Sequence, residues 1–287
     1  MNNEKTRPGP AELFRAAGPF FVIAGPCVLE DDALNLEVAA ALAKISEALD
    51  LPIIYKASFD KANRSRPDAP RGPGLEDGLR RLERVRAETG LPVLTDVHET
   101  GQVESVAAVC DVLQIPAFLC RQTDLIQAAA ATGRPVNLKK GQWMAPEGMK
   151  GAVAKAREAG GSAIAVTERG TFLGYGDLVV DMRSFRRIRD AIGVPAIFDG
   201  THSVQRPGRA EGASGGDPEF TPPLVRAAVA AGASALFLET HPRPETAPSD
   251  GSNMLRLDHL RPLLEDVLAL RAALGPDRLT AGQASRG

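Results

Sequence analysis

Between Ile54 and Gly74 the chain gathers groups that bind phosphate: Lys56, Lys61, Arg64, Arg66 and Arg71, with the amide of Asn63 and the hydroxyls of Ser58 and Ser65 among them. Lysine offers a compact charge to dianionic oxygens, and arginine adds a planar, two-pronged contact. An apolar run from Leu51 to Tyr55 leads into this stretch, so Lys56 falls at the end of a predicted strand. Taken alone, such a cluster is a solvated basic loop. Repetition argues for more, because Gln114, Lys139 and Arg169 also stand at predicted strand ends and complete an anion-binding set with Lys56, Ser58 and Lys61. A second set, Cys27, His202, Glu239 and Asp250, joins a thiol, an imidazole and two carboxylates. Those donors suit a divalent transition metal, and a thiolate favours zinc or iron over magnesium. Singly, Cys27 reads as a small core residue, and a lone histidine such as His202 is seldom a ligand; their value lies in convergence.

Convergence has to come from the elements. Predicted strands cover Phe20–Ala24, Leu51–Lys56, Pro92–Asp96, Val112–Ile115, Pro135–Lys140, Ala163–Thr167, Ala196–Asp199 and Ala235–Glu239. A helical pattern follows each, the last from Leu257 to Leu274. Four of the strand entries share one punctuation, Asp50-Leu51-Pro52, Gly90-Leu91-Pro92, Gly133-Arg134-Pro135 and Gly193-Val194-Pro195, which reads as a helix C-cap feeding a short connection. Strands alternating with helices mean a parallel sheet, and eight such units in this length favour a closed (β/α)8 TIM barrel over an open doubly wound sheet. In a barrel, strand C-terminal ends crowd one mouth, and strands one, seven and eight, which carry the candidate metal ligands, are neighbours. Residues 1–18 are expected as a short N-terminal extension outside the main fold, residues 19–275 as a single catalytic barrel domain, and residues 276–287 as a polar tail. Two long loops, Gly200–Pro218 and Thr240–Asn253, break the regularity and are expected to be functional.

Composition sets limits. The 287 residues are 44% apolar and 24% charged, enough for a full core. A net charge of −2 leaves no broad basic field for nucleic acid. Three cysteines, Cys27, Cys110 and Cys120, form no paired framework, which points to a reducing compartment. The start shows no secretory pattern, and the most apolar stretch, Ala227–Leu238, is too short to span a bilayer. A cytoplasmic protein without membrane partners is expected.

The motifs together resemble the 3-deoxy-D-manno-octulosonate 8-phosphate synthase family, over about Phe20 to Leu274. They are Ala24-Gly25-Pro26-Cys27, the stretch Lys56–Ser65, Arg71-Gly72-Pro73-Gly74, the run Gln114–Asp124, Asn137–Gln142, Thr167-Glu168-Arg169-Gly170, Asp199–Gln205, Glu239-Thr240-His241-Pro242 and Ser249-Asp250-Gly251. The resemblance implies a TIM-barrel transferase, commonly a homotetramer. It condenses phosphoenolpyruvate with D-arabinose 5-phosphate and water, and its product feeds the lipopolysaccharide inner core. It implies that Lys56, Ser58, Lys61, Gln114, Lys139 and Arg169 hold phosphoenolpyruvate. Asn63, Arg64 and Ser65 would hold the pentose phosphate, with Arg121 arriving from a neighbouring subunit. Lys56, Lys61, Lys139, His202 and Asp250 are the residues expected to work on the reacting atoms. Metal-independent members carry Asn where Cys27 stands, so Cys27, His202, Glu239 and Asp250 imply the metal-dependent class. Zinc or iron is the expected cofactor, with manganese, cobalt or cadmium able to substitute. Arg66 departs from the pattern, since many members carry a second serine there. Two rivals stand beside this reading. One is the enzyme that makes 3-deoxy-arabino-heptulosonate 7-phosphate from erythrose 4-phosphate; its loop reads Lys-Pro-Arg-Thr where this chain has Lys61-Ala62-Asn63-Arg64-Ser65. The other is a catalytically silent barrel that binds sugar phosphates.

Overall fold

The computed structural model describes residues 7–64, 67–172, 174–210 and 213–280. In chain order the barrel units are β1 (Phe21–Gly25), α2 (Asp32–Ala48), β2 (Ile53–Lys56), α3 (Leu75–Thr89), β3 (Val93–Asp96), α4 (Val103–Val109), β4 (Val112–Ile115) and α5 (Thr123–Ala131), a short helix α1 (Pro10–Leu13) preceding them. They continue through β5 (Val136–Lys139), α6 (Lys150–Glu158), β6 (Ile164–Glu168), α7 (Ser184–Ile192), β7 (Ala196–Asp199), α8 (Thr221–Ala230), β10 (Ala235–His241) and α9 (Leu257–Thr280). Each of these strands pairs in parallel with the next, and β1 pairs with β10 in the register Phe21↔Ala235, which closes the (β/α)8 barrel. The four strand-entry turns are left-handed at Asp50, Gly90, Gly133 and Gly193, as C-caps require. At the other end of α2, the Asp31 carboxylate accepts from the Leu34 backbone N–H at 2.9 Å.

The two-residue side-chain period of a strand sorts the barrel into shells. Val22, Ile53, Tyr55, Val93, Leu113, Val136, Leu138, Val166 and Leu236 face outward into one large core against the helices. Phe21, Ile23, Ile54, Leu94, Val112, Ala165, Ile197, Ala235 and Phe237 point inward and form a second core inside the barrel. The next inward positions along the strands are polar: Lys56, Asp96, Gln114, Lys139, Thr167, Asp199 and Glu239, all buried. The barrel is therefore filled with hydrocarbon below and with charge above.

Three expectations need correcting. The stretch before β1 is not outside the fold: α1 delivers Leu13 and Phe14 into the inner core, with the Phe14 ring centroid 5.4 Å from that of Phe21. Burying these two side chains, about 1.5–3 kcal/mol each, offsets much of the entropy lost in ordering the turn. The region Gly200–Pro218 is not an irregular loop but contains an antiparallel ribbon of β8 (Gln205–Ala210) and β9 (Ala213–Gly216). The stretch Thr240–Asn253 likewise follows a β10 two residues longer than expected, and the chain then pairs β11 (Leu255–Arg256) with it. No helix among the described residues is long and apolar enough to cross a membrane.

Candidate active site and cation site

The polar layer opens into a cavity of about 960 Å³ at the strand C-termini, whose walls include Lys56, Lys61, Asn63, Arg64, Gln114, Lys139, Arg169, His202 and Asp250. That volume is at the upper end for small-molecule sites. Burial of this many ionisable groups is sustained by pairing. Lys56 Nζ donates to Glu239 Oε1 at 2.9 Å and stands 3.8 Å from Asp96 Oδ2. Burial opposes the charge on Lys56, but Glu239 and Asp96 outweigh it and raise its pKa. Lys61, at the same end of the cavity, is likewise held protonated against burial by the acids around it. Lys139 contacts Asp199 and sits over the Phe237 ring, 3.5 Å from its centroid. Burial dominates there and pulls the Lys139 pKa down despite Asp199. Asp199 itself, opposed by burial but facing His202 and Lys139, stays ionised far below the usual carboxylate range.

Gln114 is held by a relay that crosses the barrel mouth. Thr167 Oγ1 donates to Asn137 Oδ1 at 2.7 Å, and Asn137 Nδ2 to Gln114 Oε1 at 2.7 Å. Gln114 Nε2 then donates to Asp96 Oδ1 at 2.6 Å, and Asp96 Oδ2 accepts from Ser58 Oγ. Ser58 is thus fully buried and bonded to Asp96, beside the other predicted anion ligands rather than free among them. Both lysines of Lys139-Lys140 are buried, which the sequence reading did not foresee. Lys139 points inward, and Lys140 points outward to Glu168 at 3.3 Å, as alternation dictates. Arg169 is buried, and its Nη1 has no hydrogen-bond partner among the described residues. A buried, unpaired guanidinium nitrogen at a cavity wall is a position for an anion's oxygen.

Cys27 is brought to the mouth by a backbone contact that only glycine allows. A Cβ on Gly25 would lie 2.1 Å from the Lys56 carbonyl oxygen, so the two strand ends close fully. Cys27 O then accepts from Ser58 N at 3.2 Å and from Lys56 Nζ at 3.2 Å. Its Sγ lies 3.0 Å from Asp250 Oδ2, and the ligand atoms of Cys27, Glu239 and Asp250 all lie within 4.8 Å of one another. His202 stands beside this triangle rather than within it. Its Nε2 is 3.6 Å from Glu239 Oε2, and its Nδ1 is 2.8 Å from Asp199 Oδ2. A carboxylate on Nδ1 orients the ring with Nε2 towards Glu239. Burial, then Asp250 and Glu239, push the Cys27 thiol well up, so that without a cation it keeps its proton. Glu239 Oε2 is buried with no hydrogen-bond partner among the described residues. An orphaned carboxylate oxygen, a thiol and a second carboxylate facing one point are a donor set that fits a thiophilic divalent cation.

The remaining expected ligands sit on loops. Arg64 reaches across the mouth and donates from Nη1 to Ser249 Oγ at 2.8 Å and from Nε to Pro70 O at 2.8 Å. Asn63 lines the same wall. Ser65 lies outside the described residues. Arg121 is exposed after β4, its carbonyl accepting from Lys155 Nζ at 2.9 Å, and it does not line the cavity of its own chain. Two further histidines lie near the mouth: His241 is fully buried and 3.0 Å from Glu30 Oε1, while His98 lines the cavity. Sequence reasoning assigned no role to Gln205, Ser249 or Asn137, although each lies in a quoted motif. Each has at least one partner distant in sequence, and no local pattern marks them.

A model of the DAHP synthetase I family matches residues 16–272. The 2-dehydro-3-deoxyphosphooctonate aldolase of Alkalilimnicola ehrlichii is 57% identical over 252 residues, 88% of this chain and 91% of that protein. The protein of the same description from Methylococcus capsulatus is 54% identical over 269 residues, 92% of this chain and 95% of the relative. That of Legionella pneumophila (strain Lens) is 54% identical over 251 residues, 88% and 91% of the two chains.

Proposed function

This chain belongs to the DAHP synthetase I family, and we infer that within it the reaction is the condensation of phosphoenolpyruvate with D-arabinose 5-phosphate and water, giving 3-deoxy-D-manno-octulosonate 8-phosphate and phosphate. The observation that carries this reading is one mouth holding Lys56, Lys61, Gln114, Lys139 and Arg169 beside Asn63 and Arg64, in a chain 52–57% identical to proteins described as 2-dehydro-3-deoxyphosphooctonate aldolases. The Lys61–Arg64 stretch favours the five-carbon aldose over erythrose 4-phosphate.

The chemistry asks C3 of the enol to bond to the aldehyde carbon, while the aldehyde oxygen takes a proton. Positive charge then develops at C2, water adds there, and the C2–O bond to phosphate breaks. Lys56, Lys61, Lys139 and Arg169 neutralise the phosphate and carboxylate and fix the enol face, so the residues act by position and charge. The carboxylates that pair with or adjoin those cations, Asp96, Asp199, Glu239 and Asp250, already match them in number. A trianionic substrate is therefore better received where a further positive charge is present. Cys27, Glu239 and Asp250, with His202 turning its Nε2 towards Glu239, would hold a divalent cation of the zinc or iron type. When bound it would supply a Lewis acid next to the substrates. Asp199 holds the His202 ring in place for that role. Arg121 is proposed to act in the site of a neighbouring subunit of a homotetramer, because it is exposed and is not among the residues lining its own chain's cavity.

The test is phosphate release with each aldose, arabinose 5-phosphate or erythrose 4-phosphate, before and after metal stripping. Turnover restricted to the pentose, abolished by a chelator and restored by a divalent ion, is the expected result. Preference for the four-carbon sugar would hand the assignment to the rival enzyme.

A further inference from the structure

Asp250 lies between the two phosphate-binding arms, and each arm reaches it through one uncharged side chain. On the enolpyruvate side, Arg169 Nη2 donates to Gln205 Oε1 at 2.7 Å, and Gln205 Nε2 donates to Asp250 Oδ1 at 2.9 Å. The orientation of this buried amide is set by charge: its oxygen faces a guanidinium and its nitrogen a carboxylate, and the flipped amide would oppose both. On the aldose side, Arg64 Nη1 donates to Ser249 Oγ at 2.8 Å, and Ser249 Oγ donates to Asp250 Oδ2 at 2.9 Å. The same Oδ2 lies 3.0 Å from Cys27 Sγ. The backbone of Asp250 is left-handed, with φ of 53°, an uncommon conformation for a residue with a side chain. Its carboxylate is thus placed by its neighbours, and two of those neighbours answer to the substrate arms.

We propose that Gln205 and Ser249 are positioning residues that couple the cation site to the two substrate sites, Gln205 for phosphoenolpyruvate and Ser249 for the aldose phosphate. This rests on the function inferred above. An anion that fixes Arg169 fixes the Gln205 oxygen, and through the amide it fixes the Asp250 carboxylate in the direction of Cys27. A cation that draws charge from the Asp250 carboxylate would weaken it as the acceptor of the Ser249 hydroxyl, which is then freer to turn to a phosphate seated on Arg64. In both directions binding at one site prepares the other, and the coupling is reciprocal by linkage.

The experiment measures zinc binding to metal-stripped protein by competition with a chromophoric chelator, with no addition, with phosphoenolpyruvate alone, or with arabinose 5-phosphate alone. Neither compound turns over by itself, so the readout is affinity. In the wild type each compound is expected to tighten zinc binding by roughly tenfold. Gln205→Met removes the phosphoenolpyruvate effect and keeps the aldose effect; Ser249→Ala does the reverse. Gln205→Asn, which keeps the amide but is too short to span both partners, behaves like Gln205→Met and guards against a misfolded variant. Coupling that survives in the Gln205 variants, or falls equally for both compounds in either variant, overturns the proposal. Those results in a wild type that condenses the two substrates leave the function standing, whereas a wild type that binds neither compound removes the function itself.

Discussion

The two ends of the barrel interior are built from the same strands and obey opposite rules. At the lower end Phe21, Ile23, Leu94, Val112, Ile197 and Phe237 close around Leu13 and Phe14 in one apolar cluster. Two positions further along those strands, Asp96, Gln114, Asp199 and Glu239 are also buried and depend on specific partners. Hydrocarbon packing is non-directional and recovers free energy from area alone. Buried ion pairs roughly break even for stability, and truncating one partner leaves the other stranded. The lower end therefore holds the barrel together, while the mouth spends that stability on holding charges where substrates need them.

That contrast can be broken by substitution. Phe14→Ala, at the lower end, should cost about 3–5 kcal/mol of unfolding free energy while leaving kcat per folded molecule unchanged. Denaturant melts paired with active-site titration would show it, and a large kcat loss without destabilisation would erase the distinction between the ends. Lys61→Met, at the mouth, should behave in the opposite way. Loss of one positioned charge is expected to lower kcat/KM per folded molecule by ~10²–10³, over and above whatever stability the surrounding carboxylates lose with it. Arg64→Ala should raise the KM for the aldose phosphate by about 1.5–3 kcal/mol equivalent, the worth of a hydrogen bond to a charged group. The KM for phosphoenolpyruvate should barely change, and equal rises in both would show that Arg64 does not discriminate between the arms.

The smallest effect concerns the rim of the mouth. Asp60 accepts from Arg71 Nε at 2.8 Å, closing the base of the loop that carries Arg64. The Arg71 hydrogen bond lowers the folded pKa of Asp60 below its ordinary value. The sign follows from linkage: the pair's contribution is present above the unfolded pKa of ~3.9 and fades as pH falls through the folded one. The stability gap between wild type and Asp60→Asn should thus be small and constant from neutral pH down to about pH 5. It should shrink in more acid buffer; a gap that widens with acid would reverse the assignment.

Much of this architecture was legible beforehand, because it rests on local signals. Short continuous apolar runs such as Ala235–Leu238, and cap residues such as Gly90 and Gly193, placed the strands and helices close to where they stand. The α1 plug was not legible: one helical turn carrying Leu13-Phe14 has no period, and its partners lie on strands up to Phe237. The β8–β9 ribbon hid behind glycine, proline and arginine, which read as loop. At the mouth, residues at strand ends declared themselves by charge and position. Gln205 and Ser249 did not, because their importance lies in distances to Arg169, Asp250 and Arg64 that only the closed barrel creates. The candidate ligands also turned out unequal: Cys27, Glu239 and Asp250 form the close triangle, and His202 adjoins it through Glu239.

A cation is proposed between Cys27, Glu239 and Asp250, and elemental analysis tests that directly. Wild-type protein should carry close to one transition-metal ion per chain, Cys27→Ala should carry almost none, and phosphate release should follow the metal content of both. Full phosphate release from wild-type protein shown by the same analysis to be free of metal would contradict it.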